Sequence, residues 1–123
     1  MKAVFDSNII IDLFNNSPQA KQLAEYYSHI LISKISWMEI LIGADSQAHE
    51  DDMRHRLRDM AEVVEITDAI AEEAIRIRRR LRKLRLPDAL IWATARTSGM
   101  MLITRNSKDF PTDDPGIYIP YCL

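Results

Sequence analysis

The chain has 123 residues, 47% of them hydrophobic and 28% charged, with three Gly, five Pro and one Cys. That length suits a single domain over residues 1–123, able to hide roughly two-thirds of its unfolded surface without disulfides or structural metal, and the composition excludes a disordered, collagen-like or disulfide-stapled chain. Eighteen acids against sixteen bases give a formal charge of −2, yet residues 76–85 hold seven of those bases and no acid, a local polarity compatible with a polyanionic partner.

Residues 2–5 are a short apolar run and read as a first strand, stopped by Asp6-Ser7-Asn8. Residues 9–14 are apolar at most positions and open a helix that Asn15 and Asn16 close. Ser17 caps, and Pro18 begins, a second helix that runs through residues 23–27. Residues 30–33 form a second strand, followed by a helix over residues 36–44. Residues 47–61 place acids first and bases later, with Met53, Leu57, Met60 and Ala61 at helical spacing. Residues 63–66 read as a third strand. Asp68 then begins a long helix whose apolar stripe is Ile70, Ala74, Ile77, Leu81 and Leu84. Pro87-Asp88 starts a helix over residues 89–98, which Gly99 ends. Residues 101–103 and 117–119 supply a fourth and a fifth strand. Alternating strands and helices predict an α/β fold with a mostly parallel sheet covered on both faces. Such sheets bind ligands at the carboxyl ends of their strands.

Four acids stand at those ends or at helix mouths. Asp6 ends Val-Phe-Asp-Ser-Asn, where helix capping alone accounts for it. Glu39 sits in Ile-Ser-Trp-Met-Glu-Ile-Leu-Ile-Gly, a helix so apolar that burial on nearly all sides is expected. A carboxylate left unpaired there costs several kcal/mol or has its pKa pushed up; a solvent strip or a buried Arg is the ordinary alternative. Asp88 opens another apolar helix, a position the helix dipole favours by itself. Asp109 lies in Leu-Ile-Thr-Arg-Asn-Ser-Lys-Asp-Phe, a polar loop for which a plain turn also accounts, and Asp113 and Asp114 read as solvated loop acids. Brought to one rim, carboxylates about 4–5 Å apart repel by about 3–4 kcal/mol at an effective dielectric of about 20, which calls for a cation. Oxygen-only ligands suit Mg²⁺ or Mn²⁺ rather than zinc. His29, His49 and His55 show no metal spacing and read as surface or structural residues.

Val-Phe-Asp-Ser-Asn-Ile-Ile-Ile-Asp-Leu-Phe, the Glu39 segment, Leu-Pro-Asp-Ala-Leu-Ile-Trp-Ala-Thr-Ala and the Asp109 segment follow one another in that order. Together they resemble the four signature segments of the PIN-domain nucleases, above all the toxin subunits of VapBC toxin–antitoxin systems. The resemblance runs from Asp6 nearly to the last residue. It implies a three-layer α/β/α sandwich with a roughly five-stranded parallel sheet. It also implies Mg²⁺- or Mn²⁺-dependent endoribonuclease activity as the toxin of a type II module. An RNA substrate, a cognate antitoxin, and a homodimer or toxin–antitoxin hetero-oligomer are implied with it. By motif position, Asp6, Glu39 and Asp88 would be the catalytic metal ligands, with Asp109 favoured as the fourth and Asn106 as its alternative. Ser7, Asn8, Thr104 and Asn106 would orient those acids or position substrate. Ser7 stands where many relatives carry Thr, and either hydroxyl can orient the first acid. The expected chemistry is hydrolysis by cation-activated water, giving 5′-phosphate and 3′-hydroxyl ends.

Arg76, Arg79, Arg80 and Lys83 fall on one face of the long helix leading to Asp88, either as a solvated face or as RNA phosphate contacts. Trp37 and Trp92, on apolar helices, fit core or dimer contacts better than base stacking. Three other readings compete. A haloacid-dehalogenase-like phosphatase wants a second Asp two residues after the first, where Asn8 stands. A receiver-like signalling domain wants adjacent acids after the first strand and an Asp after the third. A catalytically silent PIN-fold module would bind RNA or a partner without cutting. No apolar run approaches the ~20 residues of a membrane helix, Asp6 and Asp12 do not suit a leader, and a lone Cys122 fits a cytoplasmic location.

Overall fold

A computed structural model of the chain describes residues 1–122. Five parallel strands form one sheet in the order β3-β2-β1-β4-β5, made of β1 (Lys2–Phe5), β2 (His29–Ser33), β3 (Ala61–Val64), β4 (Met101–Ile103) and β5 (Ile117–Tyr118). Helices α1 (Ser7–Phe14) and α2 (Pro18–Ala24) connect β1 to β2, and α3 (Lys34–Ile42) and α4 (Gln47–Met60) connect β2 to β3. The pair α5 (Asp68–Arg80) and α6 (Leu86–Thr97) then carries the chain back across the sheet to β4. The α/β class and the five-stranded parallel sheet are as expected.

Strand alternation divides the core into two layers. Ala3, Phe5, Ile32 and Ile103 pack beneath Ile9, Ile10, Ile40 and Leu57. Val4, Leu31, Leu102 and Ile117 pack on the other face against Ile70, Ile77, Ile91 and Trp92. The inner strands β1, β2 and β4 are buried on both faces over most of their length, which is why they read as continuous apolar runs rather than alternating ones. Because β2 and β4 flank β1, strand order reverses direction there. The carboxyl ends of β1 and β4 thus mark the switch point at which such sheets hold their ligands.

Several boundaries depart from expectation. β3 covers Ala61–Val64 rather than residues 63–66: Ala61 is already extended as α4 ends, and it pairs with Ile30 of β2. Ile66 lies beyond the sheet and is exposed. The second helix stops at Ala24, with residues 25–27 in a turn. α1 begins at Ser7, two residues early, because Asp6 itself caps it. α5 stops at Arg80, and Leu81 takes a non-helical backbone. Leu84 therefore reaches the core from a turn, closed by its amide donating to the Leu81 carbonyl at 3.0 Å. Gly99, at φ +67°, follows α6 as expected, in a conformation that disfavours side chains.

Candidate active site

Asp6 sits where β1 ends, 3% exposed. Its Oδ1 accepts the Ser7 amide at 2.7 Å, and its Oδ2 accepts the Thr104 hydroxyl at 2.7 Å and the Asn8 amide group at 3.2 Å. The capping role and the candidate site role thus fall on one carboxylate, because the helix it caps starts directly at the carboxyl end of β1. Burial raises its pKa above the ordinary 3.8, against the opposing pull of Thr104, Ser7 and Asn8.

Glu39 projects from α3 toward the same rim. Ser7 Oγ lies 3.3 Å from Glu39 Oε1 and 3.4 Å from Asp6 Oδ1, so one hydroxyl spans the two acids. Partial desolvation, then the Asp6 charge, raise the Glu39 pKa, and the Ser7 bond and Arg85 oppose this. Contrary to expectation, α3 is not buried all round: Ile42 is 82% exposed, and Met38 and Glu39 also face solvent.

Asp88 stands in the first turn of α6. It accepts no hydrogen bond among the described residues. Desolvation, then the charges of Asp6, Asp109 and Glu39, push its pKa up to about 6, with Arg85 opposing. Asp109 lies on the loop after β4 and is exposed. Its amide donates to Asn106 Oδ1 at 3.2 Å, and its Oδ2 accepts from Asn106 Nδ2 at 3.1 Å. Asn106 in turn donates its amide to Thr104 Oγ1 at 3.0 Å. A chain of bonds therefore runs from Asp6 through Thr104 and Asn106 to Asp109. Asn8 bonds Asp6, Thr104 Oγ1 at 3.3 Å and the Arg105 amide at 3.3 Å. It serves as a brace and has no carboxyl proton to offer a phosphatase mechanism.

The four acids share a rim without closing on one point. Among the described residues, no three His, Cys, Asp or Glu side chains are placed to hold a metal ion as they stand. The donor chemistry nevertheless fits a hard divalent cation: all four are carboxylates, three have raised pKa values, and Asp88 is free of hydrogen bonds. A cation among them would relieve the repulsion that raises Glu39 and Asp88.

The basic stretch divides. Arg76 lies on α5 but is held by Glu73 at 3.0 Å, and Arg96 of α6 holds the other oxygen of Glu73 at 2.8 Å. Lys83 is not on the helix face expected for it, since α5 has ended; it sits in the turn before α6. Arg79 and Arg80 remain on the last turn of α5. Arg85, read from sequence only as part of this stretch, precedes α6 and lies close enough to lower the pKa of Glu39 and Asp88.

Sequence reasoning missed one network. Asp12 of α1 is 4% exposed. Arg105 clamps it with two bonds of 2.7 and 3.0 Å, and the Tyr121 hydroxyl donates to it at 2.8 Å. Arg105 lies between Thr104 and Asn106, so this clamp fixes the backbone of the Asp6–Asp109 chain. The signal was present: Asp12 is the one acid in an otherwise apolar helix, the same feature that drew notice to Glu39.

A PIN domain family model matches residues 3–112. A chain of a toxin–antitoxin complex from Klebsiella pneumoniae is 41% identical and superposes with a TM-score of 0.89, over 98% of this chain and 99% of that one. A chain of VapBC-1 from nontypeable Haemophilus influenzae is 27% identical, with a TM-score of 0.72 over 89% of this chain and 90% of its own. One of DNA-bound VapBC from Salmonella typhimurium is 25% identical, with a TM-score of 0.76 over 95% of each chain. No curated protein matches. The chain belongs to the PIN domain family. No helix among the described residues is long and apolar enough to cross a membrane.

Proposed function

We propose that this chain is a divalent-metal-dependent endoribonuclease, the toxin of a toxin–antitoxin pair. The observation that supports the reading is that Asp6, Glu39, Asp88 and Asp109 lie near enough along the rim beside β1 to act on one another's charge. There the charges of the other three raise Asp88 beyond its desolvation, a state with no structural benefit of its own. Mg²⁺ or Mn²⁺, when bound, supplies activation of water and shielding of the phosphate charge. Asp6, Glu39 and Asp88 would hold it, with Asp109 as the fourth contact.

The chain's own residues set the geometry for that role. Thr104, Asn8 and the Ser7 amide fix both oxygens of Asp6. The Ser7 hydroxyl orients Glu39, and Asn106 fixes Asp109. Groups held in this way need little reorganisation as charge develops on a reacting phosphate. Asp88, with no bond to break, is free to turn toward the cation. Similarity to chains of toxin–antitoxin complexes supports an antitoxin partner. Exposed apolar side chains, Met38 and Ile42 on α3, Ile75 on α5 and Leu86 on α6, support association with other chains, a second copy included.

The test is cleavage of end-labelled total RNA with Mg²⁺, Mn²⁺ or EDTA by wild type and Asp6→Asn. Discrete fragments with 5′-phosphate ends, lost with EDTA and with the substitution, are expected. Undiminished cleavage by folded Asp6→Asn would refute the assignment.

A further inference from the structure

The loop after β4 is docked on α1 at two places. Thr104 bonds Asp6, the cap of α1, at 2.7 Å, and Arg105 grips Asp12, near the other end of that helix, with bonds of 2.7 and 3.0 Å. Asn8 adds a contact between them, accepting the Arg105 amide at 3.3 Å. Thr104, Arg105 and Asn106 are joined by planar peptide units, so a change in where Arg105 sits is passed to both neighbours. Those neighbours are the residues that hold Asp6 and Asp109.

The segment after β5 closes on the second of these attachments. Ile119 still packs with the α5–α6 layer, whereas the Tyr121 ring packs with the α1 layer, so the chain changes layers across Pro120. The Tyr121 hydroxyl donates to Asp12 Oδ2 at 2.8 Å, the oxygen that also takes Arg105 Nε. Asp12 is 4% exposed, so the lone pairs that Arg105 leaves open must be met from within the fold. Burial, then the bond to Asp12 and its charge, push the Tyr121 pKa upward, which keeps the hydroxyl a donor. A bond that only stabilised the fold would need no connection to the rim. This one ends on the carboxylate that holds Arg105, whose backbone lies between the two residues aimed at Asp6 and Asp109.

We propose that Tyr121 is a positioning residue for the acidic rim. By completing the hydrogen bonding of Asp12 it holds Arg105, and through Arg105 it sets the aim of Thr104 at Asp6 and of Asn106 at Asp109. The proposal rests on the nuclease reading and gives that site a support on the segment after β5.

The test compares Tyr121→Phe, which loses the hydroxyl and keeps the ring, with Ser46→Ala, which loses the side-chain cap of α4, a helix that carries none of the four acids. Urea unfolding places both variants on one stability scale. Amide hydrogen exchange is then followed at Thr104, Arg105 and Asn106. In Tyr121→Phe these amides should exchange about 10-fold faster, because the lost bond opposed local opening of the loop. Exchange by local opening does not follow global stability, so Ser46→Ala should leave all three unchanged. Single-turnover cleavage of one band of end-labelled total RNA with Mg²⁺ is the second readout. Tyr121→Phe should lower the rate at saturating enzyme by about 3–10-fold with half-saturation unchanged, and Ser46→Ala should lower neither. In an Arg105→Lys background, where the two-bond grip on Asp12 is already gone, Tyr121→Phe should cost no more than about 2-fold. Unchanged exchange at all three amides in folded Tyr121→Phe, or an equal loss of rate in Ser46→Ala, would overturn the proposal. A wild type that cuts no RNA refutes the nuclease reading alone, and the exchange rates still decide whether Tyr121 holds the loop.

Discussion

Replacing Asp88 with Asn should stabilise the metal-free fold while abolishing cleavage. A rise in pKa from 3.8 to about 6 corresponds to about 3 kcal/mol of disfavoured charge in the folded state. Asp88 is only partly buried, and solvent screening brings that figure to about 1–2 kcal/mol. Asn forgoes the favourable placement of a negative charge in the first turn of α6, which returns about 0.3–1 kcal/mol. No hydrogen bond to Asp88 is lost. The net gain is about 1 kcal/mol, equivalent to roughly 3–5 °C in melting temperature for a domain of this size. A folded-state pKa above the unfolded one means that ionised Asp88 destabilises the protein fully above pH 6, and that the penalty fades as pH falls from 6 to 3.8. Thermal melts in EDTA should therefore show the variant ahead of wild type at neutral pH and level with it below pH 3.8. Added Mg²⁺ should raise wild type more than the variant and narrow the gap, since a ligand stabilises the state that binds it. A variant that melts at or below wild type at neutral pH in EDTA would refute the electrostatic account of the rim.

Asp12→Ala should destabilise the protein by about 2–4 kcal/mol, because it strands the Arg105 guanidinium half-buried and removes the partner of Tyr121; urea unfolding measures it. Hydrogen bonds from Arg105 and Tyr121 hold the Asp12 pKa below 3.8 despite burial, so this contribution is present above pH 3.8 and is lost as pH falls through the lower folded value. Acid titration of wild type against Asp12→Ala should show the difference collapsing there. Thr104→Val, which removes the 2.7 Å bond to Asp6 and the acceptor for the Asn106 amide, should lower kcat by about 10-fold or more with a smaller change in KM. An unchanged kcat would place Thr104 outside the positioning of Asp6.

The rim of the sheet was legible because Asp6 follows an apolar run, Asp88 opens one and Glu39 interrupts one a turn beyond a strand, and in a parallel sheet those junctions gather at one edge. Asp6, Glu39 and Asp88 could be singled out for inspection on that ground, whereas the roles given to Thr104, Asn8 and Asn106 came from the resemblance to the PIN signature segments. Element ends were less legible. Leu81 and Leu84 continue the α5 stripe in sequence, but helical spacing identifies which side chains reach the core, not the backbone that delivers them. Here a turn delivers Leu84 and leaves Lys83 beside Lys108. The same ambiguity moved β3 by two residues, since pairing with β2 rather than local β-propensity sets its register.

Asp12 and Glu39 show where local pattern stops being informative. Each is a single carboxylate in an apolar helix, and the desolvation argument applies to both. Asp12 is buried and its pKa is lowered; Glu39 is more open and its pKa is raised. The difference lies in what faces them across the fold. Arg105, 93 residues away in sequence, meets Asp12 with two bonds, whereas Glu39 meets Asp6 and a shared hydroxyl. An isolated acid in an apolar run thus marks a place where the fold must supply a partner. Where the partner is a cation built into the chain, the acid is structural. Where it is another acid, the requirement is unmet within the chain, and that is the ground on which a cation from solution is proposed there.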